Sequence, residues 1–131
     1  MYLLLDIGNT REKAALVKNG KVTPLPQLAP ENLAKLPIKA VYFASVTSQE
    51  KLLTLKQTLG LAHLPWRQVY SDAYAYGVRN VYQQPQTLGV DRWLGMLGGQ
   101  SLFPGQSILI VDAGTAVTLD WLDANAQHSG G

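Results

Sequence analysis

The chain has 131 residues, of which 47% are hydrophobic and 15% are charged, and its formal net charge is +2. That composition is typical of a globular protein and excludes wholesale disorder, and the scattered charges give no support to a nucleic-acid-binding arm. The absence of cysteine excludes disulfides, zinc knuckles and thiol catalysis and fits a reducing cytoplasm, and no apolar run approaches the roughly 20 residues that span a bilayer.

The first half of the chain predicts an α/β domain that opens with three strands. Apolar and β-branched runs predict five strands in all, over 2–7, 13–17, 21–25, 40–45 and 66–69. Asn19-Gly20 favours a two-residue hairpin turn between the second and the third of these strands. A helix is predicted over 31–36, and a second helix begins at a Thr47-x-x-Glu50 capping box and ends at Gly60.

The second half predicts a loop, a long helix and the beginning of another sheet. Residues 71–85 show little periodicity and are predicted to form the loop. Thr87 is predicted to cap a helix over 88–102, whose four glycines indicate a close approach to a ligand or to another helix. Two strands follow, predicted over 107–112 and 115–121.

An Asp-x-Gly-Asn-Thr turn ends the first predicted strand. Gly8 allows backbone N–H groups to approach an anion, because it has no Cβ in the way. Asn9 and Thr10 add side-chain donors, and Lys13 adds a positive charge on the next strand. Asp6 is suited to a hydrated Mg²⁺, which prefers one or two carboxylates together with phosphate oxygens. The alternative is an ordinary hairpin in which Asp6 only hydrogen-bonds the turn.

The same pattern returns near the end of the chain. Residues 110–115 repeat the apolar-apolar-Asp-x-Gly order of residues 4–8, which indicates a duplicated architecture. Asp112, Gly114 and Thr115 again place a carboxylate and hydrogen-bond donors at a strand end. Two such turns facing each other would hold the phosphates of a nucleotide from both sides. The pair therefore favours phosphate binding over two ordinary hairpins.

Gly89-Val90-Asp91-Arg92 opens the long predicted helix. A helix N-terminus favours a carboxylate, and its amides bind anions. Asp91 is suited to accept the proton of an attacking hydroxyl, and Arg92 to hold a substrate carboxylate through two hydrogen bonds. The alternative is a capping aspartate beside a surface arginine. His63 and His128 have no metal-ligand spacing around them and are predicted to be structural or exposed.

Together these three segments resemble type III pantothenate kinases, a family of the acetate and sugar kinase/Hsp70/actin superfamily. Residues 6–13 resemble the first phosphate motif of the family, residues 88–93 its pantothenate motif, and residues 112–120 its second phosphate motif. The resemblance implies an RNase H-like domain over 1–70, with a three-strand opening meander and a mixed sheet. It implies that the pantothenate helix and an incomplete second domain of the same kind occupy 71–131.

The resemblance also implies an activity and a set of site residues. The family transfers a phosphoryl group from ATP to pantothenate, the first step of coenzyme A biosynthesis. By resemblance, Asp91 is the catalytic base. The implied pantothenate-binding residues are Tyr82, Gly89, Val90, Asp91 and Arg92. The implied ATP contacts are Asp6, Ile7, Gly8, Asn9, Thr10, Arg11, Glu12, Lys13 and Thr115.

Cofactors and partners are implied in the same way. Asp112 would hold a monovalent cation, potassium or ammonium, and Mg²⁺ would accompany ATP with Asp6 as its candidate protein ligand. The family works as a homodimer, and we expect a cytoplasmic protein without a nucleic-acid or membrane partner. Because members of the family are about twice as long as this chain, we expect these 131 residues to be inactive alone.

Three other functions are open from sequence. A non-catalytic regulator on the same fold is disfavoured, because Asp91 and both phosphate turns are intact. An RNase H-like nuclease would need several acidic residues at one place and a basic face, and neither is evident in the sequence. A generic ATPase of the actin and Hsp70 type leaves the motif at 89–92 unexplained.

Overall fold

The computed structural model describes residues 1–8, 11–114 and 116–131. Asn9, Thr10 and Thr115, which are predicted to contact ATP, lie outside the described residues. The chain divides into two units, Met1–Val69 and Tyr70–Gly131. The assignment of both as RNase H-like domains stays a prediction.

The first unit is built on a five-stranded mixed sheet. Its strands are β1 (Tyr2–Ile7), β2 (Glu12–Lys18), β3 (Lys21–Leu25), β4 (Ala40–Ser45) and β5 (Trp66–Gln68). They lie in the order β3-β2-β1-β4-β5. The first three strands form an antiparallel meander, while β4 pairs parallel with both β1 and β5. Asn19 and Gly20 both have positive φ and form the predicted hairpin turn, and the α/β class is confirmed.

Helices α1 (Pro30–Leu33) and α2 (Gln49–Thr58) complete the first unit. The α1 helix is shorter than the prediction over 31–36, because Pro37 disfavours helical backbone at the residue before it. Buried side chains from the sheet and from both helices form one core. Its members are Leu3, Leu5, Ile7, Leu33, Ile38, Val41, Phe43, Leu52, Leu59 and Leu61.

The N-terminus of α2 differs by one residue from the prediction. Ser48, not Thr47, is the N-cap: its backbone is extended and its Oγ accepts the Lys51 N–H at 3.2 Å. Thr47 instead donates its backbone N–H to Ser45 Oγ at 3.1 Å. Two adjacent hydroxyl residues compete for the cap here, and the one whose oxygen reaches the third amide of the helix takes it.

The second unit contains two hairpins and one long helix. Its elements are β6 (Tyr74–Ala75), β7 (Val78–Arg79), a 3-10 turn (Pro85–Thr87), α3 (Val90–Leu102), β8 (Ile108–Ala113) and β9 (Val117–Leu122). The hairpin β6–β7 lies where the sequence predicts only a loop, since two-residue strands are too short to show alternation. Its turn holds Tyr76 and Gly77 at φ values of 50° and 84°.

The α3 helix begins later than predicted. Thr87 does not cap it: Thr87 Oγ1 donates to the Gln84 carbonyl at 2.7 Å within the 3-10 turn, and Gly89 is the N-cap. The helix packs on β8 and β9 around a second core. Its buried members are Val78, Leu88, Trp93, Met96, Leu122 and Ala126. Among the described residues, no helix combines the length and the apolar character that a membrane crossing requires.

Candidate functional site

Four side chains of the second unit are joined by hydrogen bonds, and we call them the Arg92 cluster: Tyr82, Arg92, Asp120 and His128. Arg92 lies on the first turn of α3 and donates from Nε to Asp120 Oδ2 at 2.9 Å and from Nη2 to Oδ1 at 2.8 Å. Its Nη1 donates to the hydroxyl of Tyr82 at 3.2 Å. The ion pair therefore ties α3 to β9, and the same guanidinium also reaches the loop that carries Tyr82.

His128 contacts the same carboxylate from another side. Its Nε2 lies 2.9 Å from Asp120 Oδ1, and the backbone N–H of Val81 donates to its Nδ1 at 3.4 Å. Because Nδ1 accepts, we assign the proton to Nε2, which then donates to Asp120. Asp120 is 2% exposed and accepts hydrogen bonds from both a guanidinium and an imidazole.

Both members of the ion pair are held in their charged forms. Burial alone would raise the pKa of Asp120, but the hydrogen bonds and charge of Arg92, aided by His128, outweigh it and lower that pKa below its ordinary value. The hydrogen bond from Asp120 in turn raises the pKa of Arg92, against the opposing effect of burial. Paired charges of this kind are costly to separate once they are buried.

Tyr82 lies in a loop that the buried side chain of Asn80 organises. Asn80 donates from Nδ2 to the carbonyls of Asp72 at 3.2 Å and of Pro85 at 3.3 Å. Its Oδ1 accepts the backbone N–H of Tyr82 at 3.0 Å. The Tyr82 ring then stacks on His128, with centroids 5.9 Å apart and planes 15° apart. Backbone and ring of Tyr82 are thus both fixed.

Asp91 is exposed at the N-terminal turn of α3. Its Oδ1 accepts the backbone N–H of Arg92 at 2.9 Å. A Cβ added to Gly89 would lie only 2.8 Å from that oxygen. The glycine at the N-cap therefore leaves the space in which the Asp91 carboxylate lies, next to the positive end of the helix.

The first phosphate turn joins β1 to β2 in the first unit. The Gly8 N–H donates to the Arg11 carbonyl at 3.1 Å and closes the turn. Asp6 and Lys13 are directly opposite each other on the two strands, and both are exposed. The side chain of Ile7 is buried in the core, and its backbone carbonyl accepts the Val46 N–H at 3.2 Å.

A cavity of about 500 Å³ opens beside this turn. The carboxyl end of β1 lines it through Ile7 and Gly8, and α2 lines it from Ser48 onward. Lys51 places one positive charge in its wall, and Glu12 and Glu50 place two negative charges there. The cavity combines a helix N-terminus, a lysine and a glycine turn, which are groups that can hold a phosphate.

The second phosphate turn joins β8 to β9 in the second unit, and its glycine hydrogen bond spans two positions instead of the three of the first turn. Here the Gly114 N–H donates to the Ala116 carbonyl at 3.0 Å, and Asp112 lies opposite Thr118 on the paired strands β8 and β9. Asp112 is exposed. Over residues 1–8, 11–114 and 116–131, no group of three or more His, Cys, Asp or Glu side chains could hold a metal ion. The roles of Asp6 and Asp112 as cation ligands stay predictions.

Comparison with known proteins agrees with the motifs. A family model described as type III pantothenate kinase matches residues 24–131, which is most of the chain. The chain belongs to the type III pantothenate kinase family. Its pantothenate motif and its second phosphate motif both fall inside the matched region.

Individual type III pantothenate kinases match the whole of this chain. The enzyme named so from Laribacter hongkongensis is 37% identical over 139 residues, and that of Colwellia psychrerythraea is 35% identical over 143 residues. The one from Phocaeicola vulgatus is 33% identical over 141 residues. In each case the match covers 55–56% of the relative, so the chain spans about half the length of the curated relatives that it matches.

Within this family context, the structure brings some of the predicted site residues together. Tyr82 and Arg92 are in contact, and Gly89 through Arg92 occupy the first turn of α3 with its cap. Arg92 donates from Nε and Nη2 to Asp120. Its predicted binding of a substrate carboxylate therefore depends on its remaining N–H donors and stays a prediction.

Three residues of the site were missed by the sequence reasoning. Asp120 lies within the second phosphate motif, where the sequence indicates only a further carboxylate beyond the turn and no partner for Arg92, and Asn80 lies in the predicted loop. His128 looked isolated. A signal was present for His128, because an Asp123-Ala-Asn125 turn follows β9 and folds the next residues back antiparallel to it, so that Leu122 pairs with His128.

Proposed function

We propose that this chain provides the pantothenate site and part of the ATP site of an enzyme that phosphorylates pantothenate, the first step of coenzyme A biosynthesis. The observation that carries the proposal is the Gly89–Arg92 motif at the N-terminus of α3, with the Tyr82 hydroxyl 3.2 Å from Arg92. Membership of the type III pantothenate kinase family supports the reaction.

Asp91 is proposed as the base that takes the proton of the pantothenate hydroxyl. Its carboxylate is exposed at the N-terminal turn of a 13-residue helix, where a substrate hydroxyl can approach it. Phosphoryl transfer depends mainly on positioning and on neutralisation of charge. In this proposal Asp91 therefore aims the hydroxyl as well as accepting its proton.

Arg92 and Tyr82 are proposed to bind the pantothenate carboxylate. A guanidinium has five N–H donors, of which Asp120 takes two and Tyr82 takes one. Two donors are therefore left for a ligand. The Tyr82 hydroxyl accepts from Arg92 and is free to donate its own proton toward the same carboxylate.

The two phosphate turns are proposed to contact ATP, through the first-turn residues 6–13 and through Thr115. The cavity beside Gly8 supports the first of these contacts. Mg²⁺ bound with ATP would offset phosphate charge, and a single exposed carboxylate such as Asp6 fits an ion that keeps its waters and phosphate oxygens as other ligands. Asp112 is proposed to give one oxygen to a monovalent cation, potassium or ammonium.

We also propose that both units derive from one RNase H-like plan. The order β3-β2-β1-β4-β5, a meander followed by parallel strands, supports this for the first unit. In the second unit, the β8–β9 hairpin repeats an Asp near the end of the first strand and a glycine N–H that closes the turn. The homodimer, the cytoplasmic location and the absence of nucleic-acid and membrane partners stay predictions.

A phosphoryl-transfer assay tests the proposal. Because the relatives are longer, the assay uses the chain alone and the chain joined to the C-terminal remainder of the Colwellia psychrerythraea relative, with ATP and pantothenate in potassium or in sodium. We expect pantothenate-dependent ADP release from the joined protein. ADP release at the same rate with and without pantothenate would instead support a generic ATPase of the actin and Hsp70 type.

Asp91→Asn in the joined protein is the decisive variant. We expect it to lower turnover by roughly 10²-fold or more, since it removes the base, while the circular dichroism spectrum stays unchanged. Asp72→Asn, another exposed aspartate of the same unit, is the matched control and keeps its activity. Near-normal turnover in Asp91→Asn would contradict the assignment of the base.

A further inference from the structure

We propose that Asp120 and His128 are positioning residues of the pantothenate site. They set the orientation of Arg92 and Tyr82 and do not contact the ligand themselves. The inference rests on the proposed function for the identity of the ligand. It rests on the hydrogen-bond geometry of the Arg92 cluster for the positioning itself.

Asp120 fixes the plane of the Arg92 guanidinium. The two parallel hydrogen bonds of 2.9 and 2.8 Å hold one edge of the guanidinium, and a two-point contact leaves the planar group little freedom to rotate. The opposite part of the guanidinium then points along a defined direction, in which Nη1 meets the Tyr82 hydroxyl. A ligand carboxylate would meet donors that are already aligned.

His128 joins β9, which carries Asp120, to β7 and to the loop that carries Tyr82. Its backbone N–H donates to the Arg79 carbonyl at 2.9 Å, which fixes it against β7. Its ring bonds Asp120 on β9 and accepts the N–H of Val81, and its face stacks on Tyr82. The side chain is completely buried, so these contacts are made without competition from water.

The backbone at Gly131 covers the cluster on a further side. Ser129 and Gly130 pair with Trp121 of β9 through hydrogen bonds of 2.8 and 3.2 Å, which brings residue 131 beside the ion pair. A Cβ at Gly131 would overlap the Leu119 carbonyl oxygen and would lie 2.7 Å from Asp120 Oδ1. A side chain at this position would therefore collide with the Leu119 carbonyl and crowd the Asp120 carboxylate.

Two variants of His128 separate positioning from simple packing. His128→Phe keeps a ring against Tyr82 but removes the donor to Asp120. His128→Gln has an amide Nε2 that can restore the hydrogen-bond donor to Asp120, but it lacks the ring that stacks on Tyr82. The matched control is His63→Phe, because His63 is an exposed histidine of the first unit.

The experiment measures two properties of the 131-residue chain and of each variant. Isothermal titration calorimetry gives the dissociation constant for pantothenate, and ¹H–¹⁵N NMR gives the solvent exchange rate of the Arg92 Nε–H. Thermal unfolding confirms that each variant is folded. The exchange rate needs no ligand, so it tests the positioning even if the chain binds no pantothenate.

We expect His128→Phe to weaken pantothenate binding about tenfold and to speed the exchange of the Arg92 Nε–H. His128→Gln should keep that N–H protected and should bind pantothenate within about threefold of the unaltered chain. A folded His128→Phe variant with unchanged affinity and unchanged exchange would overturn the inference, as would a folded His128→Gln variant that loses both. If the unaltered chain and the joined protein both bind no pantothenate, the proposed function fails, and unchanged exchange in His128→Phe then overturns the positioning as well.

Discussion

At the scale of single residues, the most constrained group is a buried carboxylate that carries no obvious chemistry of its own. Asp120 satisfies its oxygens through Arg92 and His128, so the two charges of the ion pair cancel where solvent is excluded. Removal of one partner leaves the other charge partly buried and unpaired, which is costly in proteins.

Asp120→Asn is therefore expected to lower the free energy of unfolding by about 2–4 kcal/mol at neutral pH. The pKa of Asp120 is lowered in the folded chain, so its contribution is present above the unfolded aspartate pKa of about 4 and is lost as the pH falls through the folded pKa. Urea unfolding of the chain and the variant from pH 7 to pH 3 measures this.

The difference in stability between the chain and Asp120→Asn should be largest at pH 6–7 and should shrink below about pH 4. Asp72→Asn, which alters an exposed carboxylate, serves as the control and should stay within about 0.5 kcal/mol of the unaltered chain. A difference that stays constant down to pH 3 would show that the ionised form of Asp120 contributes nothing to folding.

A sequence motif can identify site residues that are neighbours along the chain. Asp91 and Arg92 stand on one helical turn, so a local motif identifies them. Asp120 and His128 reach Arg92 only through long-range folding, at separations of 28 and 36 positions along the chain. Tyr82 was assigned by resemblance alone, and the loop that fixes it depends on the buried amide of Asn80, which no periodic pattern reveals.

At the scale of elements, the packing of α3 on β8 explains one of its three glycines. A Cβ on Gly99 would lie 2.6 Å from Ile108 Cδ1, and one on Gly95 would lie 3.5 Å from Ile110 Cγ2. The close neighbour of Gly99 is therefore a strand, not the ligand or second helix that the sequence predicts, whereas the contact at Gly95 is an ordinary van der Waals distance. A Cβ on Gly98 would meet nothing within 4 Å.

Alanine substitutions at adjacent glycines of α3 should act in opposite ways. Gly98→Ala is expected to stabilise the chain by about 0.5–1 kcal/mol, because alanine restricts the unfolded chain and favours a helix. Gly99→Ala should lose this gain, because the terminal methyl group of Ile108 must move away from the new Cβ. Thermal unfolding measures the Tm of the two variants. Equal shifts in Tm would contradict the close approach of α3 to β8.

Most long elements were predictable because each has a regular pattern. The runs over β1 and β4 match the prediction residue for residue, since apolar and β-branched residues continue along them. The predicted helix boundaries were wrong at two places. At Thr47 and Ser48 two adjacent residues compete for the N-cap, and Thr87 belongs to a 3-10 turn and does not cap α3. The β6–β7 hairpin was missed because its strands have only two residues each.

At the scale of the whole molecule, the described residues form two buried cores that have no member in common. The first lies between the mixed sheet and its two helices, and the second joins α3 to its two hairpins. Leu5 is 4% exposed in the first core, and Met96 is fully buried in the second. Each core buries the apolar faces of its own unit, and this burial is the main source of stability.

Leu5→Ala and Met96→Ala should each lower the stability of their own unit by about 3 kcal/mol, because each leaves a cavity in a closely packed core. Hydrogen exchange measured by mass spectrometry should show the loss of protection in peptides from 1–69 for Leu5→Ala and from 70–131 for Met96→Ala. Leu53→Ala and Leu102→Ala, at side chains 56% and 75% exposed, are the controls and should change little. Equal loss of protection throughout the chain after either core substitution would show that the two cores unfold as a single cooperative unit.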